Sequence, residues 1–227
     1  MKHYIQILAL SLFAALLAGC TTTSVPAQAK SQIRRIAVVS LFPSEIDIHQ
    51  IGILPVLHES KVAQTREWDA HTVTFSIAER LLRERGYDTI QLDARAYLLA
   101  LPTLPEPQQV VARLLPAAHE KKADAVVIVA PYRMTSNGPD FYSVYFAPSK
   151  LFGVKSVFGG CVSSAYVFSD SGSLLARSID NGSFKDMRGI SWRDSWADYP
   201  ETERQAIYAQ LEKFIEENLR WKLSKVL

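Results

Sequence analysis

The sequence predicts an α/β (or α+β) fold: a single domain with a mixed sheet of about five to six strands, helices packed on it, a C-terminal β-hairpin and a long closing helix. Three observations carry this expectation. The runs 35–42 and 123–130 are apolar at nearly every position, as strands buried on both faces are. Between them an amphipathic repeat, a short β-rich run and a second helical segment alternate, the order expected of a sheet with a parallel component. Near the C-terminus Ile207, Leu211, Ile215 and Leu219 recur every four residues.

Taken in order, the domain is expected to begin at Ile33, and the first strand stops at Pro43. In 44–68, Ile46, Ile48, Ile51 and Ile53 hint at a short extended element, while Pro55 and the polar residues after Leu57 read as loop. Asp69 suits a helix N-cap; Val73, Ile77 and Leu81 form the stripe, with Ala70, Ala78 and Leu82 widening it. Gly86 ends that helix, and 87–92 is the next strand. A turn rich in Pro102, Pro105 and Pro107 leads into a helix over 106–122, which Pro116 is expected to kink or split. Residues 134–153 show no clean periodicity and are read as a long loop. From 155 to 169 the chain is β-branched, aromatic and small, with Gly159-Gly160 marking a bulge or a close approach. Asp170-Ser171-Gly172 turns the hairpin, and 173–180 is its partner strand. The closing helix, 201–226, has Tyr208 and Phe214 beside its stripe and a possible capping box from Thr202 to Gln205.

The first nineteen residues have a separate logic. Lys2 precedes an apolar run from Tyr4 to Gly19, which ends in small residues, the pattern of a secretory signal peptide. Leu17-Ala18-Gly19-Cys20 resembles the bacterial lipobox. That resemblance implies cleavage before Cys20, a diacylglycerol thioether on its sulfur, and acylation (palmitate) of the new amino group. Two or three acyl chains suffice for stable anchoring without a membrane span. Thr21 in place of aspartate implies the outer membrane, facing the periplasm; a Gram-positive origin would imply the cell-surface membrane. The expected organisation is therefore signal peptide 1–19, lipidated cysteine and flexible tether 20–32, and one globular periplasmic domain 33–227. No cofactor is expected beyond the covalent lipid on Cys20.

Composition narrows the function by exclusion. Without Lys2 the mature chain carries 24 basic and 23 acidic residues, with no basic face of the kind nucleic acid requires. No phosphate loop, G-x-S-x-G elbow, Ser-x-x-Lys or His-Glu-x-x-His occurs. His49, His58 and His71 fall within 23 positions and could converge with Glu59 or Asp69, but their spacing matches no standard zinc pattern. They are read as solvent-facing, and Cys161, in an apolar run, as a small buried hydrophobe.

One compositional anomaly remains. Residues 141–158 hold six of the chain's 23 aromatics, among them Phe141, Tyr142, Tyr145, Phe146 and Phe152. Trp192, Trp196 and Tyr199 form a second cluster in a polar segment. In loop-like sequence such residues either anchor a partner or bury themselves under the final helix. These eight are the candidate partner-binding residues.

The runs "IRRIAVVSLF", Ala123-Asp124-Ala125-Val126-Val127-Ile128 and "YVFSDSGSLLARS", behind a lipobox, resemble small periplasmic domains of outer-membrane lipoproteins. The families concerned are the penicillin-binding-protein activators and the curli secretion channel. The likeness covers about 33–42, 70–92, 123–130 and 162–180, lacks the curli channel's transmembrane hairpins, and carries over no functional residue. It implies a lipid-anchored protein that binds or positions another envelope component, with homo-oligomers possible through the sheet edge. The alternative is a periplasmic hydrolase or small-ligand-binding lipoprotein built on a polar cluster.

Overall fold

The computed structural model describes residues 22–51, 59–63, 68–95, 106–134, 141–151, 153–179 and 185–227; for 59–63, Met134, Phe141 and Leu151 it describes the backbone only. The two double-sided apolar runs become β1 (Arg35–Ser40) and β5 (Ala125–Pro131), paired in parallel from Ile36↔Ala125 to Ser40↔Val129. β4 (Asp88–Gln91) lies parallel on the other side of β1. These strands lack a polar alternation because both faces are covered. Ile36, Val38, Val127 and Val129 join one apolar cluster, and Ala37, Val39, Val126 and Ile128 join another.

The first cluster is closed by α2 (Ala70–Arg83) and α4 (Glu201–Val226), the second by α3 (Pro107–Glu120). A short α1 (Ala27–Gln32) precedes β1. Pro116 lies inside α3 without dividing it, a difference from the sequence expectation. Asp69 caps α2 by accepting from the Thr72 N–H at 3.2 Å and from the Thr72 hydroxyl at 2.9 Å. The expected cap on α4 does not form. Pro200 occupies that position, and the capping box belongs to Ser195 and Asp198 of the short 3-10 turn Trp196–Asp198.

The sheet is larger than the sequence predicts. Ten strands join it among the described residues, along the path β3-β2-β7-β8-β5-β1-β4, with β6, β9 and β10 beside it. β2 (Ile46–Gln50) and β3 (Glu59–Ala63) come from the segment read mostly as loop. β6 (Arg133–Met134) and β7 (Phe141–Leu151) replace most of the expected 134–153 loop. The reason is long-range pairing. β7 runs antiparallel to β8 (Val154–Ser169) from Ser143↔Val162 to Leu151↔Val154, and parallel to β2 at Asp47↔Tyr145. Even Pro148, which has no N–H to give, serves the ladder by accepting from the Ile51 N–H at 3.1 Å.

β8 changes partners along its length. Its first half lies against β7 and β10 (Lys185–Asp186), its second half against β5 and β9 (Leu174–Ile179). The hairpin turn forms as read, with Gly172 at φ +81° in the left-handed region. The bulge falls at Val167/Phe168, not at the glycine pair. Gly159 is instead a close approach: a Cβ there would lie 2.9 Å from Met187 Sδ and 3.1 Å from Leu211 Cδ2, so α4 packs directly on the β8 backbone.

The described part of the expected tether is held against the domain. Val25 is buried, and its N–H donates to Val226 O at 2.9 Å. Thr23 donates its N–H to Arg177 O at 2.8 Å and accepts from the Arg177 N–H at 3.0 Å through its hydroxyl. Low apolar content made this segment look free, yet one valine and three hydrogen bonds dock it.

Candidate functional site

The aromatic residues singled out by sequence are mostly brought together, but inside the protein. Tyr145, Phe146 and Tyr199 are buried, and Tyr142, Trp192 and Trp196 are half-buried. Phe146 meets the edges of Trp196 (ring centroids 5.4 Å) and Tyr199 (5.3 Å). Trp196 continues to Tyr208 at 6.1 Å, and Tyr208 stacks on Trp68 at 5.5 Å. This ladder pins residues 190–200 and the start of α4 onto β7, where offset and edge-to-face rings add to the burial of their area. Burial pushes the Tyr199 hydroxyl up to about 12, partly countered by the Arg193 N–H it accepts at 3.2 Å; Tyr145 is raised further for the same reason. Tyr142 is also raised by burial, and its hydroxyl has no hydrogen-bond partner among the described residues. Burial gives Tyr145, Phe146 and Tyr199 a packing role, the second of the two alternatives that the sequence left open. Phe152, the Phe141 side chain and Cys20 lie outside the described residues.

Trp192 is the half-buried member of the set that packs on the core with charge over its ring. Lys155 holds its ammonium 4.4 Å from the indole centroid and Lys150 holds its own at 5.6 Å. These lysines are cross-strand partners at the β7–β8 hairpin end, where Val154 is 68% exposed. Behind Trp192, Arg193 is clamped to Glu203 at 2.7 Å, and the Ser191 N–H donates to the same carboxylate at 2.6 Å. This face of the hairpin end therefore presents a half-buried indole under two cations, while Val154, one residue before Lys155, points to the opposite face of the sheet. Sequence reasoning selected Trp192 but missed Lys150 and Lys155, because only the β7–β8 register gathers them.

The two described histidines of the 49–71 stretch are each held by other groups. His49 is buried rather than solvent-facing, with its Nε2 2.6 Å from Asp47 Oδ2 and its ring edge-on to Tyr145 at 6.5 Å. His71 is also buried, with Nδ1 3.0 Å from Phe42 O, tying the start of α2 to the end of β1. Both positions are set by strand and helix partners remote in sequence. His58 and the side chain of Glu59 lie outside the described residues. Among the described residues no three His, Cys, Asp or Glu side chains gather into a metal-holding group.

Asp69 keeps its structural role. Burial raises its carboxyl, but Thr72, Ser44 and His71 outweigh that and hold its pKa below the ordinary value of 3.8. A carboxyl depressed on folding stabilises the fold at higher pH, and that stability is lost as pH falls through the depressed value. Asp69→Ala is expected to cost about 1 kcal/mol near neutral pH, with Asp69→Asn largely preserving the cap. Urea unfolding at neutral pH and below pH 3 checks this: the alanine penalty should shrink in acid.

Cys161 is a buried, free thiol, as the sequence reading has it. Burial pushes it up to about 12, with Lys222 and Ser163 pulling in the other direction. The thiolate is the reactive form. In a chain blocked or substituted at Cys20, a thiol reagent is therefore expected to leave the native protein unlabelled over the time in which the urea-unfolded chain labels fully.

The fold and this site define a class: a single-domain α/β protein with a mixed sheet, which carries an indole–lysine cluster at the β7–β8 hairpin end. No protein-family model matches this chain, and no curated protein matches it. Similar solved structures include the PelC dodecamer from Paraburkholderia phytofirmans, 15% identical, which pairs 88% of this chain with 94% of its own at a TM-score of 0.37. A single-substitution variant of that dodecamer is 14% identical, with 88% of this chain and 96% of its own covered and a TM-score of 0.36. The hypothetical protein CT253 from Chlamydia trachomatis is 15% identical, with 83% and 96% covered and a TM-score of 0.38.

Proposed function

We propose that this is a lipid-anchored cell-envelope protein, held at the outer membrane through Cys20, that binds or positions another envelope component and carries out no reaction of its own. The observation that carries the reading is Leu17-Ala18-Gly19-Cys20 at the end of the opening apolar run. The site geometry supports a binding role. The buried histidines serve as tertiary ties, and Asp69 caps a helix. The chemistry gathered at the hairpin end is that of a contact surface: an indole with two ammonium groups over it. Such a surface suits a partner with an acidic rim around an apolar centre.

A photo-crosslinking residue at the exposed position 191, beside Trp192, in intact cells tests this. A single dominant adduct is expected, abolished by Trp192→Ala, a change expected to cost about 1–3 kcal/mol because the half-buried ring packs on the core, so a melting curve first establishes that the variant is folded. No adduct, or adducts indifferent to Trp192→Ala, would remove the hairpin end from the proposal.

A further inference from the structure

We propose that the C-terminal end of α4, together with the docked segment before α1, is a membrane-facing surface that seats the domain on anionic phospholipid headgroups. The proposal rests on reading Cys20 as the lipid anchor. Trp221 is 43% exposed, one of three large apolar side chains so open among the described residues. Lys225, one helical turn later, holds its ammonium 5.7 Å from the Trp221 ring centroid. An indole beside an ammonium matches the bilayer boundary, where the ring sits at headgroup level and the cation meets phosphate.

The chain path selects this end of the molecule. Val25 is hydrogen-bonded to Val226, the residue after Lys225, and Trp221 lies about 7.5 Å from Val226 along the helix axis. Thr23 is clamped to Arg177 by two hydrogen bonds. Cys20 precedes Thr23 by three residues, so it lies at most about 10 Å from that clamp. A free tether of twelve residues would let any face meet the bilayer, whereas a clamp at Thr23 favours the face from which the chain leaves.

Charge at this end suits an anionic surface. Glu84 and Glu216 are both engaged by Arg80 and Arg220, at 2.8 to 3.0 Å. Arg85 donates to the Arg220 carbonyl, and Lys30 sits exposed on α1. The opposite end of the molecule is then fixed as well. α4 follows β8 in the same direction, with Leu211 against Gly159 and Asn218 bonded to Ser163. Val154, at the start of β8, is therefore about 45 Å along the strand from Phe168. Seating Trp221 on the membrane would present the Trp192 hairpin end away from it, toward a partner.

The test uses the full, membrane-extracted chain in vesicles of phosphatidylcholine and phosphatidylglycerol with brominated acyl chains. Tryptophan fluorescence is expected to be quenched, and Trp221→Phe is expected to abolish most of that quenching. Trp68 is buried and Trp192 and Trp196 lie toward the far end, so they should contribute little. Lys225→Glu is expected to weaken the quenching and to remove its dependence on phosphatidylglycerol. Vesicle-bound protein without quenching, or with quenching unchanged in Trp221→Phe, overturns the docking surface and leaves the anchor standing. An intact mass without acyl chains overturns the anchor reading, and the seating proposal with it.

Discussion

Phe146→Ala is expected to destabilise the domain by about 3–5 kcal/mol, the range for emptying a fully buried phenylalanine site. Phe146 is fully buried, and its ring closes the edge-to-face contacts with Trp196 and Tyr199. Removing it leaves a cavity between β7 and the start of α4 and loosens the turn that carries Trp192. Against a total stability of about 5–15 kcal/mol, this is a large fraction. Phe146→Leu is expected to recover most of the loss by filling volume, leaving a deficit set by the two lost ring contacts, about 0.5–1.5 kcal/mol each. Urea unfolding followed by tryptophan fluorescence measures both. If Phe146 were a partner-contact residue, alanine would weaken partner capture and leave the unfolding midpoint unmoved. The unfolding midpoint therefore separates the two roles.

With residues 1–19 replaced by a secretory signal that is cleaved independently of the lipobox, Cys20→Ser is expected to release the protein from the membrane fraction into the soluble fraction and to lower its mass by the acyl chains. Each buried methylene contributes about 0.8 kcal/mol to membrane attachment, so losing two or three chains changes partition by many orders of magnitude. No surface contact of Trp221 and Lys225 could compensate. Folding is expected to be unaffected, because among the described residues the hydrogen bonds that hold the N-terminal segment involve Thr23 and Val25. Fractionation, intact mass and a melting curve on the released chain check the three parts separately. A Cys20→Ser chain that stays with the membrane would remove the anchor from the proposed function.

How far the fold was legible depends on whether the signal for an element lies within that element. The α2 stripe with its Asp69 cap, the α4 stripe, the Asp170-Ser171-Gly172 turn and the doubly buried β1 and β5 all announce themselves in consecutive residues. β7 does not. Its strand state comes from β8 on one side and from β2, about a hundred residues earlier, on the other. Without those partners, a stretch containing Pro148 and mixed aromatics has no period to read. Cys161 was read correctly because burial in an apolar strand follows from its neighbours in sequence. His49 and His71 were read as solvent-facing because nothing adjacent to them signals the tyrosine ring or the carbonyl that encloses each one.

The sequence by itself determined the α/β class, the order of its main helices and strands, the buried thiol, and the expectation of a lipid anchor at Cys20. These follow from local periodicity, turn chemistry and a contiguous motif. Only the tertiary structure decided which aromatics pack and which face outward, that residues 22–32 dock instead of trailing, and that Lys150, Lys155 and Trp192 meet at one hairpin end. Burial is a property of what lies across from a residue, and the partners across from Phe146, Thr23 and Trp192 are many residues away along the chain.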